Sequence, residues 1–201
     1  MRLLAISDRA SLAPSDLPAW LAALGRAQVD SVMLREKDLP DRDLFGLTRL
    51  ARAALPRSVR LVVNGRIDVA LAASADGVHL PSDGVPVAAL RARFGAAPLI
   101  GRSTHTLAEV EAALAAGADY VTFGPVYAVP GKERYGPPAG LAELGLAAAV
   151  GIPVYALGGV TLERLGEVAA VGVAGVAGIR LFQGPDLAAV VASAHRSLSH
   201  A

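Results

Sequence analysis

Eight short apolar runs, each followed by a stretch with helical spacing, divide this chain from end to end. The runs read as strands near Leu3–Ser7, Val29–Leu34, Arg60–Val63, Gly77–Leu80, Leu99–Gly101, Tyr120–Phe123, Val154–Leu157 and Gly175–Ile179. Most are continuously apolar rather than alternating, as parallel strands covered on both faces should be. Regular strand–helix alternation specifies an α/β architecture, and eight repeats predict a closed (β/α)8 TIM barrel, with an open doubly wound sheet as the alternative. Three helix-to-strand junctions echo one another: Ala75-Asp76-Gly77-Val78, Ala118-Asp119-Tyr120-Val121 and Val173-Ala174-Gly175-Val176. Asp41 is placed to cap a helix whose Leu44, Leu47 and Leu50 share a face. Thr106 and Glu109 form a capping box, Thr161 starts a further helix, and the last begins near Pro185.

A chain of 201 residues is long enough for one domain with a large core, and residues 1–201 read as a single compact unit. Hydrophobic residues make up 53% and charged ones 18%, which excludes a disordered chain. The net charge is +1 with both signs interspersed, so no basic stripe points to a nucleic acid. Cysteine is absent, which removes disulfides, thiol nucleophiles and thiolate metal sites. The longest uncharged segment, Leu144 to Leu162, contains Gly151, Pro153, Gly158 and Gly159, so it predicts a helix, turn and strand rather than a membrane span. With no signal peptide read ahead of the first strand, a cytoplasmic location is expected.

In a barrel of this kind, chemistry belongs at the C-terminal ends of the strands. Gly158-Gly159 follows the seventh apolar run and opens a helical stretch, an arrangement that aims backbone N–H groups at a phosphate, or simply a turn needing positive φ. Gly178 and Arg180 end the eighth strand, where barrels commonly hold phosphate beside the seventh. Arg35 and Lys37 flank Glu36 after strand two; strand alternation would put both cations on one side, as an anion-binding pair. Asn64 follows strand three, Ser103 and His105 end strand five, and Gly124 ends strand six before the longest loop, which carries Tyr127 and Lys132. His79, on strand four, reads as a structural histidine. Asp8, Glu36 and Asp83 are scattered, so the residues by themselves predict no metal centre.

Taken together, seven segments resemble the thiamin phosphate synthase and TenI superfamily over nearly the whole chain. They are Ala5 to Arg9, Leu34 to Lys37, Val62 to Ala70, Ala75 to Ser82, Ile100 to Thr106, Ala118 to Val126 and Ala156 to Val160. The resemblance implies a barrel of thiamin biosynthesis. Asn64-Gly65-Arg66, Leu80-Pro81-Ser82 and Arg91 to Phe94 look closer to the TenI branch. That branch implies a thiazole tautomerase (an isomerase) binding a thiazole phosphate, with no cofactor. The alternative is a divergent thiamin phosphate synthase, a transferase that joins a thiazole phosphate to an aminopyrimidine diphosphate, releases pyrophosphate and uses Mg2+. A third reading is a non-enzymatic ligand-binding regulator.

The chain departs from both patterns. Gly65 stands where the synthase carries a carboxylate, Met33 where it carries glutamine, and Arg180 where the family carries serine. Pro125 stands where the tautomerase carries its catalytic histidine. His105, Lys132 and Tyr127 are therefore the candidate acid/base groups. Arg35, Lys37, Asn64, Ser103, Gly124, Gly158, Gly159, Gly178 and Arg180 are the candidate substrate- and phosphate-binding groups. A homo-oligomer is implied, with Trp20 and Phe45 as exposed apolar candidates for its contact.

Overall fold

A computed structural model describes residues 2–12, 17–129, 137–184 and 186–199. Eight parallel strands close into a barrel in sequence order, β1 (Arg2–Ile6), β2 (Ser31–Leu34), β3 (Arg60–Asn64), β4 (Gly77–Leu80), β5 (Leu99–Thr104), β6 (Tyr120–Phe123), β7 (Val154–Leu157) and β8 (Gly175–Gly178), with β8 paired back onto β1. The helices between them are α1 (Leu17–Arg26), α2 (Asp41–Ala54), α3 (Ile67–Ala72), α4 (Val87–Phe94), α5 (Leu107–Ala115), α6 (Gly140–Ala148), α7 (Leu165–Ala170) and α8 (Leu187–Ser199). The (β/α)8 expectation holds. The uncharged segment from Leu144 is the end of α6, a turn and β7, and no helix among the described residues is long and apolar enough to cross a membrane.

Strand parity builds two cores. Val78, Leu80 and Ile100 point outward against Val87 and Leu90 of α4. Leu4, Ile6, Met33, Val62, Tyr120, Tyr155 and Ala177 point inward and fill the barrel. Glycine makes room for the aromatic residues inside: a Cβ on Gly101 would lie 2.2 Å from the Tyr120 ring, and one on Gly175 would lie 2.6 Å from the Tyr155 ring. Two bulky rings thus lie across the barrel only because the neighbouring strands offer no side chain there.

The echoed junction segments have a physical cause. Asp76, just before β4, accepts the N–H of Leu61 on β3 at 2.7 Å, and Asp119, just before β6, accepts that of Ile100 on β5 at 2.6 Å. Asp30, before β2, does the same for Leu3 on β1 at 2.8 Å. Each carboxylate satisfies a strand-entry N–H that the parallel ladder leaves open. The third echo has Ala174 in this place and lacks the device.

Arg52 of α2 is buried against this end of the barrel, with its guanidinium on the carbonyls of Leu55, Pro56 and Val59 and 3.0 Å from the Asp76 carboxylate. Replacing Arg52 with methionine keeps much of the volume but strands those acceptors, so the variant should lose about 3 kcal/mol in urea denaturation.

Three local expectations are corrected. Asp41 is the first helical residue and makes no cap; Pro40 holds the N-cap place. Thr161 opens a 3-10 turn, Leu162–Arg164, that leads into α7. Trp20 is buried at 7% exposure, and its indole N–H donates to the Phe182 carbonyl at 2.6 Å, so it is core rather than an exposed contact. Phe45 is half-buried with the Arg49 guanidinium 6.0 Å from its ring centre. The Thr106–Glu109 capping box is present. Pro185 lies outside the described residues.

Candidate active site at the strand C-termini

The mouth is organised around a brace that the sequence reading had not assigned a role. Glu36 is buried at 6% exposure. Its Oε1 accepts from Ser7 Oγ at 2.5 Å, and both its oxygens lie 3.3 Å from the Arg9 N–H. Ser7 Oγ in turn accepts the Arg35 N–H at 2.9 Å. The end of β1 is thereby tied to the end of β2. Because β2 stops at Leu34, strand alternation does not place Arg35 and Lys37; the inward pull on Glu36 does. Arg35 is half-buried and Lys37 is exposed on either side of it.

Other cations near the mouth are spoken for: Arg9 pairs with Glu36 and Asp38, and Arg66 pairs with Asp41 and Asp68. Arg102 binds the carbonyls of Ser82 and Val85. Arg35, Lys37 and Arg180 have no carboxylate partner among the described residues. Arg180 is exposed in a 3-10 turn directly after β8, and β1 alone separates β8 from β2. Three cations without an ion-pair partner among the described residues therefore share one arc of the mouth with a single uncommitted carboxylate, Asp8 after β1, and the net positive charge favours an anion.

Gly158 and Gly159 follow β7 with φ of +95° and +67°. Their conformation is also enforced from outside. A Cβ on Gly158 would lie 2.7 Å from Pro125 Cα, and one on Gly159 would lie 2.7 Å from Tyr127 Cβ. The β6 loop packs directly on the glycine pair, donating Val126 N–H to the Leu157 carbonyl at 2.9 Å and Tyr127 N–H to the Gly158 carbonyl at 3.0 Å. Gly124 is equally confined, since its Cβ would sit 2.0 Å from the Leu157 oxygen. Gly178 is not: the nearest atom to its Cβ would be Leu181 Cβ at 3.4 Å, so steric need does not explain it.

His105, just past β5, places Nδ1 2.5 Å from the Gly124 carbonyl. A carbonyl only accepts, so Nδ1 is the donor in this bond, which fixes the ring at the mouth. Tyr127 turns away from this chemistry. Its hydroxyl donates to Glu167 on α7 at 2.6 Å, and Arg164 stacks on its ring at 4.1 Å. Partial burial and the bond to Glu167 push its pKa up to about 12, the wrong direction for an acid/base group. Tyr127 is better described as a fastener of the β6 loop, with Arg164 completing it through the Gly159 carbonyl at 2.8 Å. Lys132 lies outside the described residues. Asn64 ends β3, half-buried, and Ser103 is half-buried near the end of β5.

His79 is inside the barrel at 2% exposure, with Nδ1 3.1 Å from the Tyr120 hydroxyl and Nε2 3.0 Å from Ser103 Oγ. Burial, reinforced by the nearby Arg102 charge, pushes its pKa down to about 3. The unfolded chain takes up this proton near pH 6.5 and the folded chain does not until about 3. Stability should therefore fall as pH drops through that window, by up to about 1.4 kcal/mol per unit from this residue. Urea denaturation of the wild type against His79→Gln, at pH 7 and pH 5, should show the steeper loss in the wild type.

Carboxylates do not gather at the mouth. Among the described residues no three His, Asp or Glu side chains could share a metal ion. Glu36, Asp38, Asp41 and Asp68 are engaged by Ser7 or arginine. Asp8 follows β1 while Asp83 follows β4, three strands away. A cavity of about 390 Å³ opens at the opposite end of the barrel, lined by Arg2, Arg60, Asp30, Asp119, Tyr120 and Tyr155 among others. Its opposite charges balance, and Asp30 and Asp119 already hold strand N–H groups, so the mouth is the stronger site.

The comparisons agree with this architecture. The thiamine monophosphate synthase family (TMP-TENI) matches residues 3–182. A putative thiamine-phosphate synthase of Geobacter sulfurreducens is 45% identical over 174 residues, 86% of this chain and 82% of that protein. A thiamine-phosphate synthase of a Roseiflexus species is 36% identical over 202 residues, 98% of this chain and 84% of that protein. Among solved structures, the thiamine phosphate pyrophosphorylase of Pyrococcus furiosus superposes with a TM-score of 0.85 at 29% identity, covering 99% of this chain and 96% of that one. These relatives carry the synthase name, so the expectation of a TenI-type tautomerase gives way to its alternative as the better-supported reading. On the match across nearly all of its barrel, the chain belongs to the thiamine monophosphate synthase family.

Proposed function

We propose that this protein is a thiamin phosphate synthase, joining a thiazole phosphate to an aminopyrimidine diphosphate with release of pyrophosphate. The observation that carries this reading is the arc of cations without an ion-pair partner, Arg35, Lys37 and Arg180, in a chain whose relatives are named for that reaction. Releasing pyrophosphate breaks a carbon–oxygen bond and leaves the electron pair on the diphosphate. Cations held beside that leaving group stabilise the charge as it develops. Arg35 offers a fork to two phosphate oxygens and Lys37 a point charge. Gly158 and Gly159, with Arg180 alongside, receive the monophosphate of the thiazole.

The family's Mg2+ does not find its protein ligands here. Gly65 has φ of +73° and a backbone bond to the His79 carbonyl in place of a carboxylate. Asp83 is exposed in the loop after β4, and among the described residues no second uncommitted carboxylate lies on a neighbouring strand end. No step is therefore assigned to a metal held by this chain. Gly65→Asp should supply one such ligand while costing about 1 kcal/mol for the left-handed backbone, readable as a tighter Mg2+ titration beside a slightly lower Tm.

Pyrophosphate release from the two substrates, with and without Mg2+, tests the proposal. Steady release dependent on both substrates supports it; binding of the thiazole phosphate without release removes it. The tautomerase reading keeps one specific support, the His105 ring held at the mouth by its Nδ1 bond to the Gly124 carbonyl. If that reading is right, His105→Asn abolishes proton transfer on a thiazole carboxylate phosphate while affinity stays within a few-fold.

A further inference from the structure

The barrel interior contains a polar row that the proposed reaction leaves unused. His79 on β4 is in register with Gly101 on β5, and Gly101 is in register with Tyr120 on β6. Gly101 has no side chain, so the Tyr120 ring passes over it and brings its hydroxyl 3.1 Å from His79 Nδ1. One layer nearer the mouth, Ser103 and Thr122 are paired across β5 and β6. His79 Nε2 reaches both, at 3.0 Å to Ser103 Oγ and 3.4 Å to Thr122 Oγ1. A barrel interior otherwise filled by Leu4, Ile6, Met33, Val62, Tyr155 and Ala177 thus holds a directed line of polar atoms, from a phenol in its centre to a half-buried serine at its mouth.

We propose that Tyr120 and His79 are positioning residues that set Ser103 as a hydrogen-bond donor to an acceptor atom of the bound heterocycle; its ligand half rests on the function proposed above. A neutral imidazole has one donor and one acceptor nitrogen. Burial holds His79 neutral and raises the Tyr120 pKa, so the phenol keeps its proton. His79 Nδ1 is the hydrogen-bond partner of the Tyr120 hydroxyl, so a phenol that keeps its proton satisfies it by donating to Nδ1. Nε2 must then carry the ring proton and donate it to Ser103 Oγ. A serine whose oxygen accepts from the interior sends its own O–H elsewhere, toward the mouth. This is the reverse of serine activation by a basic histidine, in which Nε2 would accept. Ser103 is accordingly a binding donor and not a nucleophile.

Tyr120→Phe removes the donor and keeps the ring over Gly101. Nitrogen-15 NMR of the ligand-free protein should show His79 as the Nε2–H tautomer in the wild type and a mixture in Tyr120→Phe. An Nδ1–H tautomer in the wild type overturns the proposal, whatever the enzyme does. The second arm is a double-mutant cycle with Ser103→Ala, read as affinity for each of the two proposed substrates, the thiazole phosphate and the aminopyrimidine diphosphate. Tyr120→Phe should weaken binding of one of them about 5- to 10-fold in the wild type and leave it unchanged in the Ser103→Ala protein. Equal losses in both backgrounds, or no loss in either, overturn the coupling. A wild-type protein that shows the Nε2–H tautomer but binds neither substrate refutes the proposed function and the ligand half of this inference together.

Discussion

Gly158→Ala should destabilise the protein by about 3 kcal/mol and lower its Tm by roughly 8 °C, a large effect for one methyl group. Two independent penalties add. The backbone at φ +95° disfavours any Cβ, and that Cβ would stand 2.7 Å from Pro125 Cα. The obstacle is backbone from the β6 loop, itself tied down by hydrogen bonds to Leu157 and Gly158, so it cannot swing aside as a flexible side chain would. Moving the loop also moves the N–H groups that the proposed function offers to the phosphate, so thiazole phosphate affinity should fall at least about 10-fold with stability. Gly178→Ala is the matched control. Its Cβ would meet only Leu181 at 3.4 Å and Phe182 at 3.9 Å, and it should stay within about 0.5 kcal/mol of the wild type. Equal melting temperatures for both variants would show that the glycine pair is not under the constraint described.

The second large effect concerns charge. Arg35→Ala and Lys37→Ala should each lower kcat/KM for pyrophosphate release about 10- to 100-fold, the worth of one charge-assisted contact to a phosphate oxygen. Affinity for pyrophosphate itself should fall in parallel, because the proposed function sets both cations beside the leaving group rather than the ring. The losses should shrink at high salt. Neither variant should change Tm by more than a degree or two, since neither side chain pairs with a carboxylate among the described residues. Arg57→Ala, an exposed arginine in the loop between α2 and β3 at the far end of the barrel, should leave all of these quantities unchanged. An Arg35→Ala enzyme with wild-type kcat/KM would remove the anion-site assignment on which the function rests.

Much of this was legible in the linear chain. Eight apolar runs with intervening helical patterns specify the barrel, and five of the eight strands differ from their expected bounds only at the ends. The Thr106–Glu109 box was readable because a cap is decided within four residues. Gly158-Gly159 was readable because positive φ leaves a compositional mark. Tyr127 is the opposite case. Its loop position suggested an acid/base role, and only the approach of α7 shows that Glu167 and Arg164 engage it. Trp20 reads as exposed because nothing local reveals that the Phe182 carbonyl, 162 residues away, receives its N–H.

The interior row is the clearest division between the two levels. Parity along β4, β5 and β6 already places His79, Gly101, Ser103, Tyr120 and Thr122 on one side of their strands. Register decides the rest. A one-residue slip would set Tyr120 against a side chain instead of Gly101 and break the line to His79. The same holds at the mouth, where Ser7 and Glu36 lie 29 residues apart and meet only because β1 and β2 are neighbours. Local patterns determined the elements, their order and the turn glycines, because backbone preference and hydrophobic period act over a few residues. Barrel closure alone decided which polar groups meet, which arginines are neutralised and which cations stay available for an anion, because those depend on side chains that the chain brings together from distant segments.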